Sequence, residues 1–265
     1  MNRVLPLFRR SLADSWRGLI GWTAGVIGTL LLYLPLYPSL GGNGQLQGMI
    51  ESMPPELVKT LGYDTIGSGA GYTQSTFFAL IGFVLLTIAA VAWGTGAIAN
   101  DEENGQLELT IAHSVTRGQL LAERTAAVLL KLCWLGVVAV AMVLALNDSA
   151  ELGIETGALL ATATALVGVT FLSAALAIMV GALSGRRSWS LGAGAGVAVL
   201  GYVLNAIGNQ SEELDWVHAW SPYSWAFGTD PLLNGWDARI WLPFAVAVVG
   251  LVAGWLVFRR RDLAI

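Results

Sequence analysis

The sequence predicts an all-α polytopic membrane protein: six transmembrane helices, amino and carboxyl termini in the cytoplasm, and an amphipathic interfacial helix before the first span. Three observations predict it. Of 265 residues, 55% are hydrophobic and only 12% charged, and the mean hydropathy is +0.65. A soluble domain carries about 25% charge, so this chain cannot cover itself with a polar surface. Six apolar runs are long enough to cross a bilayer as helices. The basic residues, finally, fall almost all on one side of those spans.

The whole of residues 1–265 reads as a single transmembrane domain. In residues 1–18, Leu5, Phe8, Leu12 and Trp16, with Leu19 just beyond, share one helical stripe, while Arg3, Arg10, Asp14 and Arg17 face the other way. That pattern predicts an interfacial helix with its apolar side in lipid. The spans follow at 19–37, 74–97, 125–146, 157–183, 189–207 and 238–258. Within them the only full charges are Lys131 and Arg239, each close enough to an edge to be expected to snorkel into the head-group layer. Eleven of the 14 basic residues (Arg3, Arg9, Arg10, Arg17, Arg117, Arg124, Arg186, Arg187, Arg259, Arg260 and Arg261) lie on the amino-terminal side. The positive-inside rule therefore puts both termini and the loop at 98–124 in the cytoplasm, and 208–237 outside. Tryptophans agree, with Trp216, Trp220, Trp225, Trp236 and Trp241 gathered at the outer boundary.

Several functions are excluded by what is missing. A net charge of −4 argues against nucleic acid as a partner. No GxxxxGK[ST] phosphate loop occurs, since Lys59 and Lys131 follow Val58 and Leu130. His113 and His218 fall on opposite faces of the membrane and cannot share a metal. There is no HExxH or GxSxG, so no catalytic residue and no metal site is expected, and the chain is not read as an enzyme by itself. None of the 18 acidic residues lies in a span, which argues against a proton- or sodium-coupled carrier. Small-xxx-small pairs at Gly21 and Gly25, Gly181 and Gly185, and Gly192 and Gly196 suit close helix packing, in the monomer or across a dimer seam.

The loop after the second span carries the most information. It runs acidic at Asp101, Glu102 and Glu103, breaks at Gly105, and continues through Leu107, Glu108, Leu109 and Ile111 to Thr116 and Arg117. Thr116 with Gln119 makes a capping box for the next helix. By pattern alone this is either a docking peg for a cytoplasmic partner or a loop lying on the membrane. The stretch resembles the signature of permease subunits of type-2 ABC exporters, an E-E-x-x-G-x-L-E-L segment leading to A-x-P-V-[ST]-R. Here Ser114 stands in place of the proline, and the glutamates lie one residue nearer Gly105. A second run, Ser221-Pro222-Tyr223-Ser224-Trp225 and then Asp230-Pro231-Leu232-Leu233-Asn234-Gly235, is similar to the polyketide-antibiotic and drug exporter branch.

That resemblance implies a permease dimer, of two copies or a copy and a paralogue, on two separate ABC ATPase subunits. ATP and magnesium would bind those subunits, and no cofactor would bind this chain. It implies ATPase coupling through Glu102, Glu103, Gly105, Leu107, Glu108, Leu109, Ile111 and Arg117. It also implies extracellular re-entrant helices around Ser221, Pro222, Tyr223, Trp225, Asp230 and Pro231. A substrate path would be walled by Phe77, Phe78, Phe83 and Asn205. The expected function is export of a hydrophobic or amphipathic compound across a bacterial cell membrane, since a dry uncharged path offers a charged solute no compensation. A membrane assembly or sensory component without transport is the alternative from another class.

Overall fold

The computed structural model describes residues 5–40, 48, 52–54, 57–58, 66–107 and 116–261. Six long helices dominate: α1 (Pro6–Leu40), α2 (Gly69–Ala97), α3 (Arg117–Asn147), α4 (Thr156–Ser184), α5 (Arg187–Gly208) and α6 (Ala238–Phe258). No strand occurs among the described residues. Each helix contains one of the six apolar runs and is long and apolar enough to cross a membrane. Several overshoot the run. α3 takes in Arg117 to Arg124, residues that hydropathy assigns to the loop, because Thr116 caps it early: its Oγ1 accepts from Gln119 N at 3.1 Å. α1 likewise runs unbroken from Pro6 through the expected interfacial segment, and tightens to a 3₁₀ turn only at Leu34–Leu36, around Pro35.

The bundle is built around α4. Its sequence is rich in alanine and glycine, and small residues let helices approach closely where no water drives them together. A β-carbon on Gly94 of α2 would lie 2.7 Å from the Ala174 carbonyl of α4, and one on Gly194 of α5 would lie 2.8 Å from the Ser173 carbonyl. Within α4, Gly168 receives the Phe244 ring of α6, and Gly136 of α3 faces Val167. Thr162 and Thr170 are fully buried and return their hydroxyls to the carbonyls of Ala158 and Leu166, each at 2.8 Å. The central helix therefore offers its neighbours a smooth face with no unpaired hydroxyl on those residues.

α1 and α3 lie side by side and run the same way. Leu7 and Phe8 meet Glu123, and Ser15 meets Lys131, at offsets of 115 to 116 positions along the sequence. The predicted apolar stripe divides accordingly. Phe8, Leu12 and Leu19 are half-buried while Trp16 stays exposed, and Leu7, Val26 and Leu30 are buried. Lys131 corrects the snorkelling expectation. Its side chain leans toward the start of α3, as helical side chains do, but α1 and α2 stand there. It is 3% exposed, with Nζ 4.5 Å from the centre of the Trp93 ring and 3.3 Å from Ser15 Oγ.

The far end, away from Pro6 and Arg261, is closed by short elements. Asn147 holds the α3–α4 connection, donating from Nδ2 to Ile154 O at 3.1 Å and accepting from Ile154 N at 2.9 Å. After α5 come a 3₁₀ stretch at Glu212–Trp220 and two short helices, Pro222–Phe227 and Pro231–Asn234. Asp237 then caps α6, and the amide of Arg239 donating to its carboxylate holds that group below the usual carboxylate range.

The packing yields a direct test. Gly94→Val should lower the thermal midpoint of the detergent-purified protein by the equivalent of about 1–3 kcal/mol. Gly96→Val, on the same helix but at a position where a β-carbon would have no atom within 4 Å, should not lower it. Equal effects from the two would refute the close approach of α2 to α4.

Candidate functional site

All six helices have one end on the side of Pro6 and Arg261, and each such end leaves backbone groups without an intrahelical partner. They need side chains or water as partners. α3 supplies its own cap, Thr116. The other five are served by charged side chains from elsewhere in the chain, and the sign of each charge suits the helix dipole.

Two amino-terminal ends take carboxylates. Leu5, at the cap position of α1, has no side-chain cap. Instead Glu123 of α3 accepts from Leu7 N at 2.8 Å and Phe8 N at 2.9 Å, its other oxygen held by Gln119 Nε2 at 2.7 Å. α5 also lacks a side-chain cap of its own, and Glu103 accepts from Arg187 N at 2.7 Å. Three carboxyl-terminal ends take arginines. Arg124 of α3 donates to Ala97 O of α2 at 2.6 Å and pairs with Asp101 at 2.6 Å. Arg261 donates to Leu183 O of α4 at 3.2 Å. Arg117 donates to Phe258 O of α6 at 2.8 Å and also to Arg261 O, with its guanidinium 5.6 Å from the centre of the Phe258 ring.

One ion pair joins the two sets. Glu102, at the end of the short helix Ala99–Glu103, pairs with Arg261, their side chains 7% and 19% exposed. Gly185, which ends α4 with φ of +65°, lies directly under this pair, and a β-carbon there would collide with the Glu102 carboxylate. Glycine thus serves two needs at that position, the left-handed turn and the room for the carboxylate.

Of the residues expected to couple to an ATPase, the structure therefore gathers Glu102, Glu103 and Arg117 into one network. Glu102 faces inward. Glu103 is exposed although one oxygen is engaged. Gly105 makes the expected break with φ of +66°, and Leu107 is fully buried with Leu7, Ile98, Leu120 and Phe258. The described part of the loop is thus fastened across the bundle end and does not stand clear of it as a peg. Glu108, Leu109 and Ile111 lie outside the described residues.

The expected path residues are placed differently. Phe77 and Phe78 stack edge-on inside the core, and Phe83 packs against Tyr223 and Phe227. Asn205 is half-buried on α5. At the far end Ser221 ties to α5 through Gly201 O at 2.7 Å, Trp225 donates to Ala219 O at 3.0 Å, Tyr223 and Pro231 are buried, and Asp230 meets Gln74 of α2. Pro222 begins its short helix against Gly201.

Sequence reasoning missed Asp101, Glu123, Arg124 and Arg261 as parts of this site. Glu123 carried a signal: an acid just ahead of an apolar run, four residues after Gln119. Arg261 carried none, being counted only in a terminal basic cluster. Among the described residues no three His, Cys, Asp or Glu side chains gather to hold a metal.

Comparison with known families agrees with the geometry. Residues 5–212 match a family described as ABC-2 family transporter protein. No curated protein matches the sequence.

Breaking the buried pair on one side only should cost on the order of 3 kcal/mol, because it strands a charge. Glu102→Gln and Arg261→Gln should each lower the thermal midpoint, and the double variant should lower it by clearly less than their sum. Additive losses would show that the two side chains do not act together.

Proposed function

The chain belongs to the ABC-2 family of transporter proteins, and we propose on that premise that it is the permease subunit of an ATP-driven exporter for hydrophobic or amphipathic compounds. Membership makes it a multi-pass membrane component of an ABC transporter that works with an ABC ATPase. The finer reading is ours. Two ATPase subunits, holding ATP and magnesium, sit on the side of Pro6 and Arg261. The eleven basic residues on that side support reading it as the cytoplasmic one.

One observation carries this reading: in the described part of the loop that leaves α2, Asp101, Glu102 and Glu103 are bonded to Arg124, to Arg261 and to the amino end of α5. A push on the loop between Ile98 and Thr116 is delivered at once to α2 and α3, which flank it, to α5 through Glu103, and to α4 and α6 through Arg261 and Arg117. An ordinary surface loop has no need of such fastening. Glu103 and the exposed turn at Asn104 and Gly105 are the parts of the coupling set that a partner can touch, with Glu108, Leu109 and Ile111 next along the chain. Glu102 and Leu107 pass the movement inward.

A second permease copy completes the path. A β-carbon added at Gly192 or Gly196 on α5 would meet no atom of a neighbouring element within 4 Å, and with Leu200, Gly201, Trp220 and Pro222 these glycines line an open groove of about 460 Å³. The lining is apolar, which suits a hydrophobic cargo. We place the path wall on this face of α5, next to Asn205, because Phe77, Phe78 and Phe83 are enclosed in the core of one copy. The absence of any acid from the six apolar runs suits the same cargo.

The full-length chain, purified in mild detergent from its own host, should bring with it an ATPase whose hydrolysis is stimulated by the permease. Glu103→Lys should reduce that stimulation about tenfold, as expected for the loss of about 1.4 kcal/mol of coupling, and should also lower the thermal midpoint, because the carboxylate that accepts from Arg187 N is gone. A permease that isolates alone, with no nucleotide-hydrolysing companion, would favour the assembly or sensory role instead.

A further inference from the structure

The far end of α2 holds a feature that neither the coupling site nor the path uses. Residues 74–81 are π-helical, and the amide of Gly82 donates to the carbonyl of Phe77 five residues back. Such turns are rare, cost backbone energy and recur where a helix has to move or bind. Nothing in the sequence Gln74-Ser75-Thr76-Phe77-Phe78-Ala79-Leu80-Ile81 breaks a helix, so the wide turn is held by its surroundings. Gly82 permits it: a β-carbon there would lie 2.9 Å from the Phe77 carbonyl and 3.1 Å from the Phe77 ring.

Two side chains hold the turn, and their three bonds join it to the segment between Ser221 and Asn234. Gln74, 3% exposed, uses both ends of its amide: Nε2 donates to Asp230 Oδ1 at 2.6 Å, and Oε1 accepts from Leu232 N at 2.8 Å. Tyr223, 7% exposed, donates from Oη to the carbonyl of Ala79 at 2.7 Å, within the π turn itself. Its ring is wedged among Phe83, Tyr202 and Phe227, with centroids 5.1, 5.2 and 5.1 Å away. Asp230 has a left-handed backbone at φ of +47°, a conformation a non-glycine residue keeps only when its surroundings impose it. The contacts with Gln74 are such an imposition.

We propose that the π turn of α2 is a latch for the 221–234 segment, with Gln74 and Tyr223 as the positioning residues that hold it shut. The proposal rests on the permease reading above. A π turn carries one residue more than the α turn it replaces, and each residue of an α-helix turns by about 100°. Relaxing 74–81 to α geometry therefore swings Gln74 away from Asp230 and turns the Ala79 carbonyl back into the helix. All three bonds break together, and the strained Asp230 is free to relax. α2 is the element suited to deliver that change, since its other end carries Asp101, Glu102 and Glu103 into the network beneath the loop. One helix thus links the coupling end of the bundle to the segment that closes the far end.

Amide hydrogen exchange on the full permease–ATPase complex in nanodiscs tests this, with ATP hydrolysis read on the same preparation. In the nucleotide-free wild type, amides of 222–234 should exchange slowly. Trapping with ATP and vanadate should speed them about tenfold, together with amides of 79–82. Tyr223→Phe, which removes only the hydroxyl, and Gln74→Ala should reach the faster exchange without nucleotide, while amides of 120–128 in α3 stay as in the wild type. A complex that hydrolyses ATP yet shows the same exchange at 222–234 in both states overturns the latch and leaves the permease reading intact. Unchanged exchange in both variants overturns the holding role of the two side chains. A chain with no ATPase bound to it overturns the permease reading and the latch with it.

Discussion

Backbone groups at helix ends are the constraint on which this structure turns. A helix that stops at a membrane surface leaves N–H or C=O groups unpaired, and a chain with only 12% charged residues has few side chains to give them. Here those few are spent according to the dipole. Carboxylates of Glu123 and Glu103 meet the amino ends of α1 and α5, and guanidinium groups of Arg124, Arg261 and Arg117 meet the carboxyl ends of α2, α4 and α6. Each cap comes from a different helix than the one it serves, so capping and cross-linking are the same set of bonds. The end of the bundle becomes a plate, and the loop after α2 is fastened to it.

The two ends of the molecule are built differently. At the side of Pro6 and Arg261 the ties are charged and bridge many helices. At the far side they are neutral or singly charged and fix short helices onto α2 and α5 through Gln74, Tyr223 and Ser221. Between the two, α4 gives its neighbours a face of alanine and glycine along which helices sit close, with Gly94 and Gly194 against its carbonyls. That arrangement packs the helices closely across the middle of the bundle.

Most of the fold was legible in the sequence because its strongest signal, a run of apolar residues long enough to cross lipid, is local. The ends were less so. Most of Arg117 to Arg124 are good helix formers, but Arg117, Gln119, Glu123 and Arg124 break the apolar run, so a hydropathy reading stops short of where α3 begins. The π turn at 74–81 contains no breaker and left no trace. Lys131 read as a snorkelling cation because the sequence does not say that Trp93 and Ser15 wait where its ammonium arrives. Of the site, Glu102, Glu103, Gly105 and Arg117 were found through a family pattern. Their partners were hidden for a physical reason: Glu102 and Arg261 lie 159 positions apart, and only the folded bundle brings them together.

The account stands on the loop between Ile98 and Thr116 being the place where a nucleotide-hydrolysing partner grips this chain. A photo-crosslinking residue at Asn104, exposed at the turn, measures that in native membranes, with one at Trp216 on the opposite face as control. Adducts to an ABC ATPase from position 104 and none from position 216 are the result the account predicts. Adducts from 216, or from neither position in membranes where the ATPase is present, would contradict it.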